Sequence, residues 1–420
     1  MVKAQSTKKT DNSKQLKCDI LIVGGNYVGL STAVAICAGA PHLSIVVVEA
    51  APKVANEKDE RAFAVAAAAS RMLDQLGIWQ GMEEYTQPIN EMVITDSRLS
   101  DVTRPVFLTF SDQREDASAP FAHMLPNRVL VEKLREKALE MGITLINGDS
   151  VLGYEKGPAN VDIKLASGIS YTAKLLVAAD GVRSKMRDLA GIKTMHWPYD
   201  QKGIVTTIAH ERPHEGRAEE HFLPAGPFAI LPLKGNRSSL VWTESTQSAD
   251  RLLAMDDLSF ELELEQRFGH KLGEISIDGP VKAFPLGLTL AREFVKDRIA
   301  LVGDAAHGIH PISGQGLNLG FKDAAALAET IVEADRLGMD IGALTTLERY
   351  QLWRRFDTVQ MGIVTDVLNR LFSNDNPLLR AARDFGLGMV DRMPGLKTRF
   401  IDQASGNSKS EPRLLRGEAI

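Results

Sequence analysis

The first hydrophobic and polar runs of the chain predict a strand, a helix and a second strand. The apolar run 18–23 ends at two glycines, and small, helix-compatible residues follow over 30–40. The run 43–49 reads LSIVVVE and predicts a second buried strand that ends on an acid. A parallel crossover needs about 30 residues, which is the length available here.

Later runs place further strands in the same domain. Residues 175–179 and 298–302 are short and apolar, and each leads into a turn that contains glycine and aspartate. Between them, β-type runs such as 203–209 and 228–233 alternate with polar turns, which indicates a separate sheet-rich domain. One nucleotide-binding domain is therefore expected to be interrupted by a second domain.

Composition and charge narrow the class of protein. The chain has 420 residues and a formal net charge of −5, which suits two or three domains and gives no sign of a nucleic-acid face. Its two cysteines, Cys18 and Cys37, form no CxxC pair, so a disulfide framework or cysteine metal site is not expected. Residues 1–17 are polar and lysine-rich, and no segment approaches the roughly 18 apolar residues of a membrane span. We expect a cytoplasmic protein, with contact at the inner-membrane surface left open.

The turn after the first strand reads GGNYVG and approximates the dinucleotide fingerprint G-x-G-x-x-G. Gly24 permits the tight turn, Gly25 follows it, and Gly29 lets helix and strand pack closely. Asn26 replaces the second glycine of the fingerprint, and asparagine tolerates left-handed backbone angles better than most residues. The helix start can bind a pyrophosphate, and Glu49 can accept hydrogen bonds from a ribose. A tight turn that binds nothing is the alternative.

Two further motifs favour a flavin. Asp180-Gly181 follows the run 175–179, and residues 298–320 read RIALVGDAAHGIHPISGQGLNLG. Gly303 makes the turn after a strand, and Asp304 is placed to accept hydrogen bonds from ribitol hydroxyls. These residue types suit the ribityl side of FAD.

The glycine-rich loop that follows suits the flavin ring itself. Pro311 begins the loop, and the backbone of Gly314, Gln315 and Gly316 allows a flat ring to pack against the main chain. A helix is predicted to begin near Gln315 to Leu317, with Asn318 in its first turn. Its N–H groups and positive end would favour the reduced, anionic flavin. The flavin face where oxygen is transferred is expected at residues 311–316.

Together the three motifs resemble the FAD-dependent aromatic hydroxylases, the family of para-hydroxybenzoate hydroxylase. Within that family the chain resembles most the ubiquinone-biosynthesis hydroxylases, from Cys18 onward. The matching positions are Asp59, Glu60, Arg61, Ala62, Ser70, Leu76, Gly77, Ile78, Trp79, Phe222, Gly226, Pro227, Leu231, Pro232, Leu233, Tyr350, Arg354, Asp357, Asp366, Leu371, Phe372, Lys397 and Gly406. The resemblance implies that Arg61 and Arg128 lie near the FAD phosphates or ribityl chain, and that Asp180-Gly181 serves flavin and nicotinamide. Asn26 and residues 123–126 depart from the family pattern.

The expected fold class is α/β: a Rossmann-type, para-hydroxybenzoate hydroxylase-like FAD-binding domain with an inserted sheet-rich substrate domain and a C-terminal helical region. The expected boundaries are a flexible tail over 1–17, an FAD-binding domain over 18–90, 120–190 and 290–345, a substrate domain over 91–119 and 191–289, and a helical region over 346–420.

The resemblance implies a monooxygenase that hydroxylates a polyprenyl phenol in ubiquinone biosynthesis through a C4a-hydroperoxyflavin, with O2 and with NAD(P)H as the expected reductant. Contact with other ubiquinone-biosynthesis proteins is a further expectation. Two alternatives stay open: a flavin-dependent reductase of an isoprenoid, and a non-catalytic subunit of a biosynthetic complex. The sequence does not identify a catalytic base.

Several other residues have ordinary interpretations. His307 and His310 near Asp304 could suggest a metal site, but the flavin loop explains them better, and no metal is expected. Residues 211–221 are interpreted as a solvated hairpin or loop. The apolar face at Ile363, Val364, Val367, Leu368, Leu371 and Phe372 is expected to pack in a core or against another helix, with a lipid-contacting surface as the alternative. Trp197 and Trp242 stay unassigned.

Overall fold

The structure is a computed structural model that describes residues 15–52, 61–96, 106–111, 120, 122–309, 315–372 and 411–420. The strands in these ranges are β1 (Gln15–Lys17), β2 (Ile20–Val23), β3 (Ile45–Glu49), β4 (Ala62–Ala66), β5 (Gln87–Ile89), β6 (Glu91–Asp96), β7 (Val106–Ser111), β8 (Ala122–Pro126), β9 (Thr144–Asn147), β10 (Val151–Lys156), β11 (Val161–Leu165), β12 (Ser170–Ala173), β13 (Leu175–Ala178), β14 (Thr194–His210), β15 (Arg217–Leu223), β16 (Gly226–Leu233), β17 (Arg237–Ser245), β18 (Ile275–Ile277), β19 (Lys282–Ala291), β20 (Val295–Lys296), β21 (Ile299–Leu301) and β22 (His307–Gly308). The helices are α1 (Tyr27–Gly39), α2 (Ala67–Gln75), α3 (Asn127–Glu140), α4 (Lys185–Leu189), α5 (Thr246–Leu253), α6 (Asp257–Phe268), α7 (Gln315–Arg336) and α8 (Leu344–Phe372).

A six-stranded sheet in the order β20-β21-β13-β2-β3-β9 carries the first domain. Its strands are parallel except for the β20/β21 pair, and β2, β13 and β21 are apolar and buried because the sheet is covered on both faces. The predicted strand, helix and strand are confirmed, although α1 begins at Tyr27 rather than at residue 30. The carboxyl ends of β2, β13 and β21 meet at one edge, so the turns after them are neighbours.

A second, nine-stranded sheet is built mostly from the chain between β13 and β20, together with β6, β7 and β22. Its order is β22-β19-β14-β17-β16-β15-β6-β7, with β18 paired to β14, and its pairs are antiparallel except β15 with β6. One face packs on α5 and α6 around Trp242 and Phe260. The fold class expected from the sequence is confirmed. Two smaller sheets, β1-β12-β11-β10 and β4-β8-β5, complete the described sheet structure.

The interpretation of residues 211–221 as a solvated loop is wrong for its second half. Strand β15 lies inside the nine-stranded sheet, between β16 and β6, and His221 and Glu220 are buried. The charged side chains of this strand pair with one another and with Lys271, so their polarity does not indicate solvent exposure.

Helix α8 lies in the expected C-terminal helical region but begins slightly earlier, at Leu344, and residues 373–410 of that region lie outside the described residues. Gly362 on its inner face packs closely against Leu288 and Leu290 of β19. Core packing is the wrong expectation for Ile363 and Val367, which are exposed on the outer face. Helix α8 therefore touches the nine-stranded sheet with one side only.

Residues 411–420 close the first domain from outside. Leu414 and Leu415 are buried beside α2 and α7, within the same core as the six-stranded sheet. The Nε–H of Arg71 donates to the carbonyl of Leu415 at 2.9 Å, and the backbone N–H of Arg413 donates to Glu329 at 2.8 Å. We refer to residues 411–420 as the C-terminal clasp.

In the part of the chain that the structure describes, none of the helices has the length and apolarity needed to cross a membrane.

Candidate functional site

The turn between β2 and α1 has the backbone geometry that its glycines imply. Gly24 has φ of +110°, and a Cβ there would lie 2.2 Å from the carbonyl oxygen of Ala179. A Cβ on Gly29 would lie 1.9 Å from the carbonyl oxygen of Gly24. Both positions exclude any larger residue, so the strand and helix approach as closely as a dinucleotide turn requires.

Asn26 does not use the left-handed conformation that asparagine tolerates. Its φ is −89°, and it is the N-cap of α1, with its side-chain oxygen accepting the backbone N–H of Tyr27 at 2.8 Å. Asparagine is favoured here because a helix start has unpaired N–H groups. The missing second glycine is thus replaced by a residue that caps the helix.

Glu49 fastens the same turn. Its Oε2 accepts the N–H of Gly25 at 2.6 Å and its Oε1 accepts the N–H of Ala51 at 2.8 Å. A carboxylate oxygen can accept more than one hydrogen bond, so this geometry leaves capacity for ribose hydroxyls.

Arg61 lies between the small β4-β8-β5 sheet and the nine-stranded sheet. Its guanidinium carbon lies 5.6 Å from the ring centre of Phe63 on β4 and 5.9 Å from that of Phe284 on β19. The carbonyl of Arg61 accepts the N–H of Asn127 at 2.7 Å, which ties it to the start of α3. Its positive charge also acts to lower the pKa of Asp304. Arg61 therefore lies where the cofactor turns face the nine-stranded sheet.

Arg128 occupies the first turn of α3 and is exposed. Sequence reasoning missed Arg135, seven residues later on the same helical face, whose charge interacts with Glu49. Burial is the larger influence and lowers the pKa of Arg135. The seven-residue spacing from Arg128 is the signal that could have found it. The departing residues 123–126 form most of β8, which pairs with β4 and leads into this helix.

Asp180 lies at the carboxyl end of β13, beside Gly24. It accepts the hydroxyl of Ser184 at 2.5 Å and the N–H of Met186 at 3.1 Å, and so holds the start of α4. Gly181 has φ of +81°, and nothing lies within 4 Å of the position of a Cβ there. The second motif is thus a rigid turn with open space beside it.

The third motif meets the first at Val28. A Cβ on Gly303 would lie 3.0 Å from the side chain of Val28, and one on Gly320 only 2.6 Å from it. Asp304 is half-buried on the short turn Gly303–Ala305, and burial raises the pKa of its carboxyl while His307 and Arg61 act against that rise.

Helix α7 begins at Gln315, as predicted, and buries Leu317. Among the described residues, nothing lies within 4 Å of the position of a Cβ on Gly316, so its surroundings are open. The amide of Asn318 bonds to β4, accepting the N–H of Ala66 at 2.9 Å and donating to the carbonyl of Ala64 at 3.0 Å. Pro311, Gly314 and His310 lie outside the described residues, as does the side chain of Gln315.

Sequence reasoning also missed Asp323 on α7. Its Oδ2 accepts the N–H of Gly303 at 2.9 Å and Nε2–H of His307 at 2.5 Å, and its Oδ1 accepts Nε–H of Arg354 at 2.8 Å. Burial alone would raise the pKa of Asp323, but His307 and Arg354 outweigh it and hold that pKa below its ordinary range. The available signal was an acid inside a helix of small, apolar residues.

His307 is therefore engaged by a carboxylate of the fold, and because an ionised carboxylate only accepts, Nε2 of His307 is the donor of this bond. Across the described ranges, no group of three or more His, Cys, Asp or Glu side chains could hold a metal ion. Of the two tryptophans that the sequence left unassigned, Trp242 is buried and donates to Glu244 at 3.0 Å, whereas Trp197 is exposed on β14.

Comparison with known proteins gives consistent results. A family profile described as an FAD binding domain matches residues 17–339. The ubiquinone hydroxylase UbiL of Rhodospirillum rubrum is 41% identical over 419 residues, covering 98% of this chain and 96% of that protein. The 3-demethoxyubiquinol 3-hydroxylase of Escherichia coli is 32% identical over 395 residues, covering 92% of this chain and 98% of that protein.

Among solved structures, the p-nitrophenol 4-monooxygenase PnpA of Pseudomonas putida superimposes with a TM-score of 0.77 at 19% identity, over 94% of this chain and 99% of that chain. At this level of identity the likeness concerns the fold alone.

Proposed function

This chain belongs to the FAD-binding-domain family, and on that premise we propose that it hydroxylates the aromatic ring of a polyprenyl phenol on the route to ubiquinone. It is an FAD-dependent monooxygenase. One observation carries the proposal: three glycine-containing turns lie at one edge of the six-stranded sheet, and Arg61, whose charge acts on Asp304 in one of these turns, lies 5.9 Å from the ring centre of Phe284 on the nine-stranded sheet. A cofactor held by the turns would therefore face the nine-stranded sheet.

The residues present fit FAD. The glycines leave no room for side chains where the turns approach each other, and space is open beside Gly181 and Gly316. In this proposal the start of α1 binds the pyrophosphate, Glu49 the ribose and Asp304 the ribityl chain, while Arg61 supplies positive charge. When bound there, FAD would supply the redox chemistry, which is electron transfer from a reductant to dioxygen, and we propose NAD(P)H as that reductant.

The chain itself must orient the phenol and exclude water. An apolar cluster closes the seam between the β4-β8-β5 sheet and the nine-stranded sheet, and it contains Ile89, Ala122, Met124 and Ala218. Phe284 presents a partly exposed ring beside Arg61, on the strand that also packs against α8. Such a surface suits an aromatic ring, and a dry site protects reactive oxygen species from loss to water.

The test begins with absorbance of the purified protein before and after FAD is added. Oxidised flavin bands near about 375 and 450 nm are expected. Turnover of prenylated phenols with isotopically labelled O2 should then place labelled oxygen in the product. Turnover without O2 would favour an isoprenoid reductase, and a protein that takes up no FAD would favour a non-catalytic subunit.

We also propose that the protein is cytoplasmic and meets its lipid-borne substrate at the membrane surface. This proposal is supported by apolar side chains on the outer face of α8. They are Leu352, Phe356, Ile363 and Val367, with exposures of 77%, 74%, 56% and 53%. These positions share one helical face, which is typical of a helix that lies on an apolar partner.

Flotation with phospholipid vesicles tests this surface. Phe356→Glu should reduce the vesicle-bound fraction about tenfold or more, because a charge replaces the exposed aromatic ring that would insert at the lipid interface. Leu139→Glu is the matched control, since Leu139 is 60% exposed on α3, and it should bind vesicles like the unaltered protein. Equal binding by all three proteins would contradict the proposal.

A further inference from the structure

Asp323 lies at the meeting point of three parts of the fold. It stands on α7 and accepts hydrogen bonds from the backbone of the Gly303 turn, from His307 of β22 and from Arg354 of α8. Strand β22 is also the edge strand of the nine-stranded sheet, where Leu290 is opposite His307. One carboxylate thus joins the cofactor turn, the edge of the substrate-side sheet and the C-terminal helix.

The environment requires a carboxylate at this position. The side chains of Asp323 and His307 are fully buried and that of Arg354 is 1% exposed, so none of these groups is screened by water. Asp323 receives three donors and offers none, and its charge balances the guanidinium of Arg354. An asparagine would present an NH2 group to one of these donors and leave Arg354 without its buried counter-charge.

The bond to Gly303 has a direct consequence for the neighbouring residue. Gly303 has φ of +60° and precedes Asp304 on the same short turn. Holding the Gly303 amide fixes the direction in which the Asp304 side chain leaves the turn. The carboxylate does this from inside the protein, on the side of the turn that faces α7.

We propose that Asp323 is a positioning residue, which sets the Gly303–Asp304 turn in register with the nine-stranded sheet so that the turn is ready to receive the flavin. This inference rests on FAD as the cofactor of the proposed function. Asp323 acts through the Gly303 amide and His307, and Arg354 keeps it ionised and in place.

The test uses a double variant that is designed to fold. Asp323→Leu with Arg354→Met replaces a buried ion pair by apolar side chains of similar size, an exchange that other folds tolerate. Its thermal unfolding temperature without FAD should stay near that of the unaltered protein. We expect its Kd for FAD to rise about tenfold, the size of one lost hydrogen bond to a charged group.

A second measurement needs no cofactor. Hydrogen exchange in the FAD-free protein should quicken at the amides of residues 302–306 in the double variant and stay unchanged in β2 and β13. Tyr350→Phe is the matched control, since the buried Tyr350 lies on α8 together with Arg354, and its hydroxyl donates to the carbonyl of Leu301 at 2.8 Å rather than to the turn. This control should bind FAD with an unchanged Kd.

Three outcomes would overturn the inference: unchanged FAD affinity in the double variant, unchanged exchange at 302–306, or an equal loss of affinity in Tyr350→Phe. A double variant that unfolds is replaced by His307→Gln, for which faster exchange at the turn is again expected and unchanged exchange contradicts the inference. If the unaltered protein itself takes up no FAD, the proposed function fails instead.

Discussion

Two carboxylates in this protein have the same kinds of partner but different surroundings. Asp323 bonds to a histidine and an arginine beneath the cofactor turn, and Glu219 lies 3.3 Å from His221 and 2.6 Å from Lys271 in the nine-stranded sheet. Asp323 is fully buried, whereas Glu219 is 17% exposed and its lysine partner 52% exposed.

The difference shows what each cluster can do. Around Asp323 every partner is fixed and dry, so the carboxylate can hold a backbone turn in place. Glu219 lies at the wall of a small cavity of about 140 Å³ that also includes Arg217 and Lys271, and water screens part of its attraction to them. Similar residues therefore form a buried, rigid cluster around Asp323 and a partly solvated ion pair around Glu219.

The largest expected effect comes from removing one cation from each cluster. Arg354→Met leaves Asp323 charged and buried, and should lower the free energy of unfolding by about 3–5 kcal/mol. Lys271→Met removes an exposed partner and should lower it by about 1 kcal/mol or less. Urea denaturation of both variants measures the two losses of stability. Equal losses would contradict the difference proposed between the buried and the partly solvated cluster.

Lowering the pH should reduce the free energy of unfolding by less than Arg354→Met does, through protonation of Glu219. Burial alone would raise the pKa of Glu219, but hydrogen bonds from His221 and Lys271 lower it from 4.5 to about 2. Because the folded-state pKa is the lower one, this stabilisation is complete above pH 4.5 and disappears as the pH falls toward 2.

The matching variant is Glu219→Gln. At neutral pH it should be less stable than the unaltered protein by about 1–2 kcal/mol, and the gap should close as the pH falls through that window. Denaturation curves at several pH values provide the measurement. A gap that is independent of pH would show that the charge of Glu219 contributes nothing.

Substitutions of Asn26 should cause the smallest loss of stability. Asn26 differs from Asp323 because it accepts a hydrogen bond from one backbone amide only and does so from a partly exposed position. Asn26→Ala should destabilise by about 1 kcal/mol, and Asn26→Gly by a few tenths, through loss of the helix cap. Because its bond is to Tyr27, Asn26→Gly should bind FAD equally or more tightly. A large loss in an FAD titration would show that the side chain contacts the cofactor.

The cofactor turns could be predicted because their geometry leaves a trace in the sequence. Gly24 and Gly29 stand where any Cβ would collide with the backbone, so the fold restricts those positions to one residue type. Buried parallel strands such as β2 and β13 can also be predicted from the sequence, because both of their faces are apolar.

The two acid clusters could not be predicted in this way. Glu219 and Lys271 are 52 positions apart, and Asp323 and Arg354 are 31 apart, so their pairing exists only after the chain has folded. A charged stretch such as β15 resembles a solvated loop until its partners are known. Ile363 and Val367 give the opposite error, because apolar residues at helical spacing do not reveal which neighbour covers them.

The C-terminal clasp has a consequence for how the protein is made. The first strands of the domain that the clasp packs against begin near residue 20. Leu414 and Leu415 can join the core of that domain only after almost 400 further residues have been synthesised. Until then, a growing chain exposes an apolar slot between α2 and α7. Contacts so distant in sequence form slowly, and exposed apolar surface of this kind is what chaperones recognise on unfinished chains.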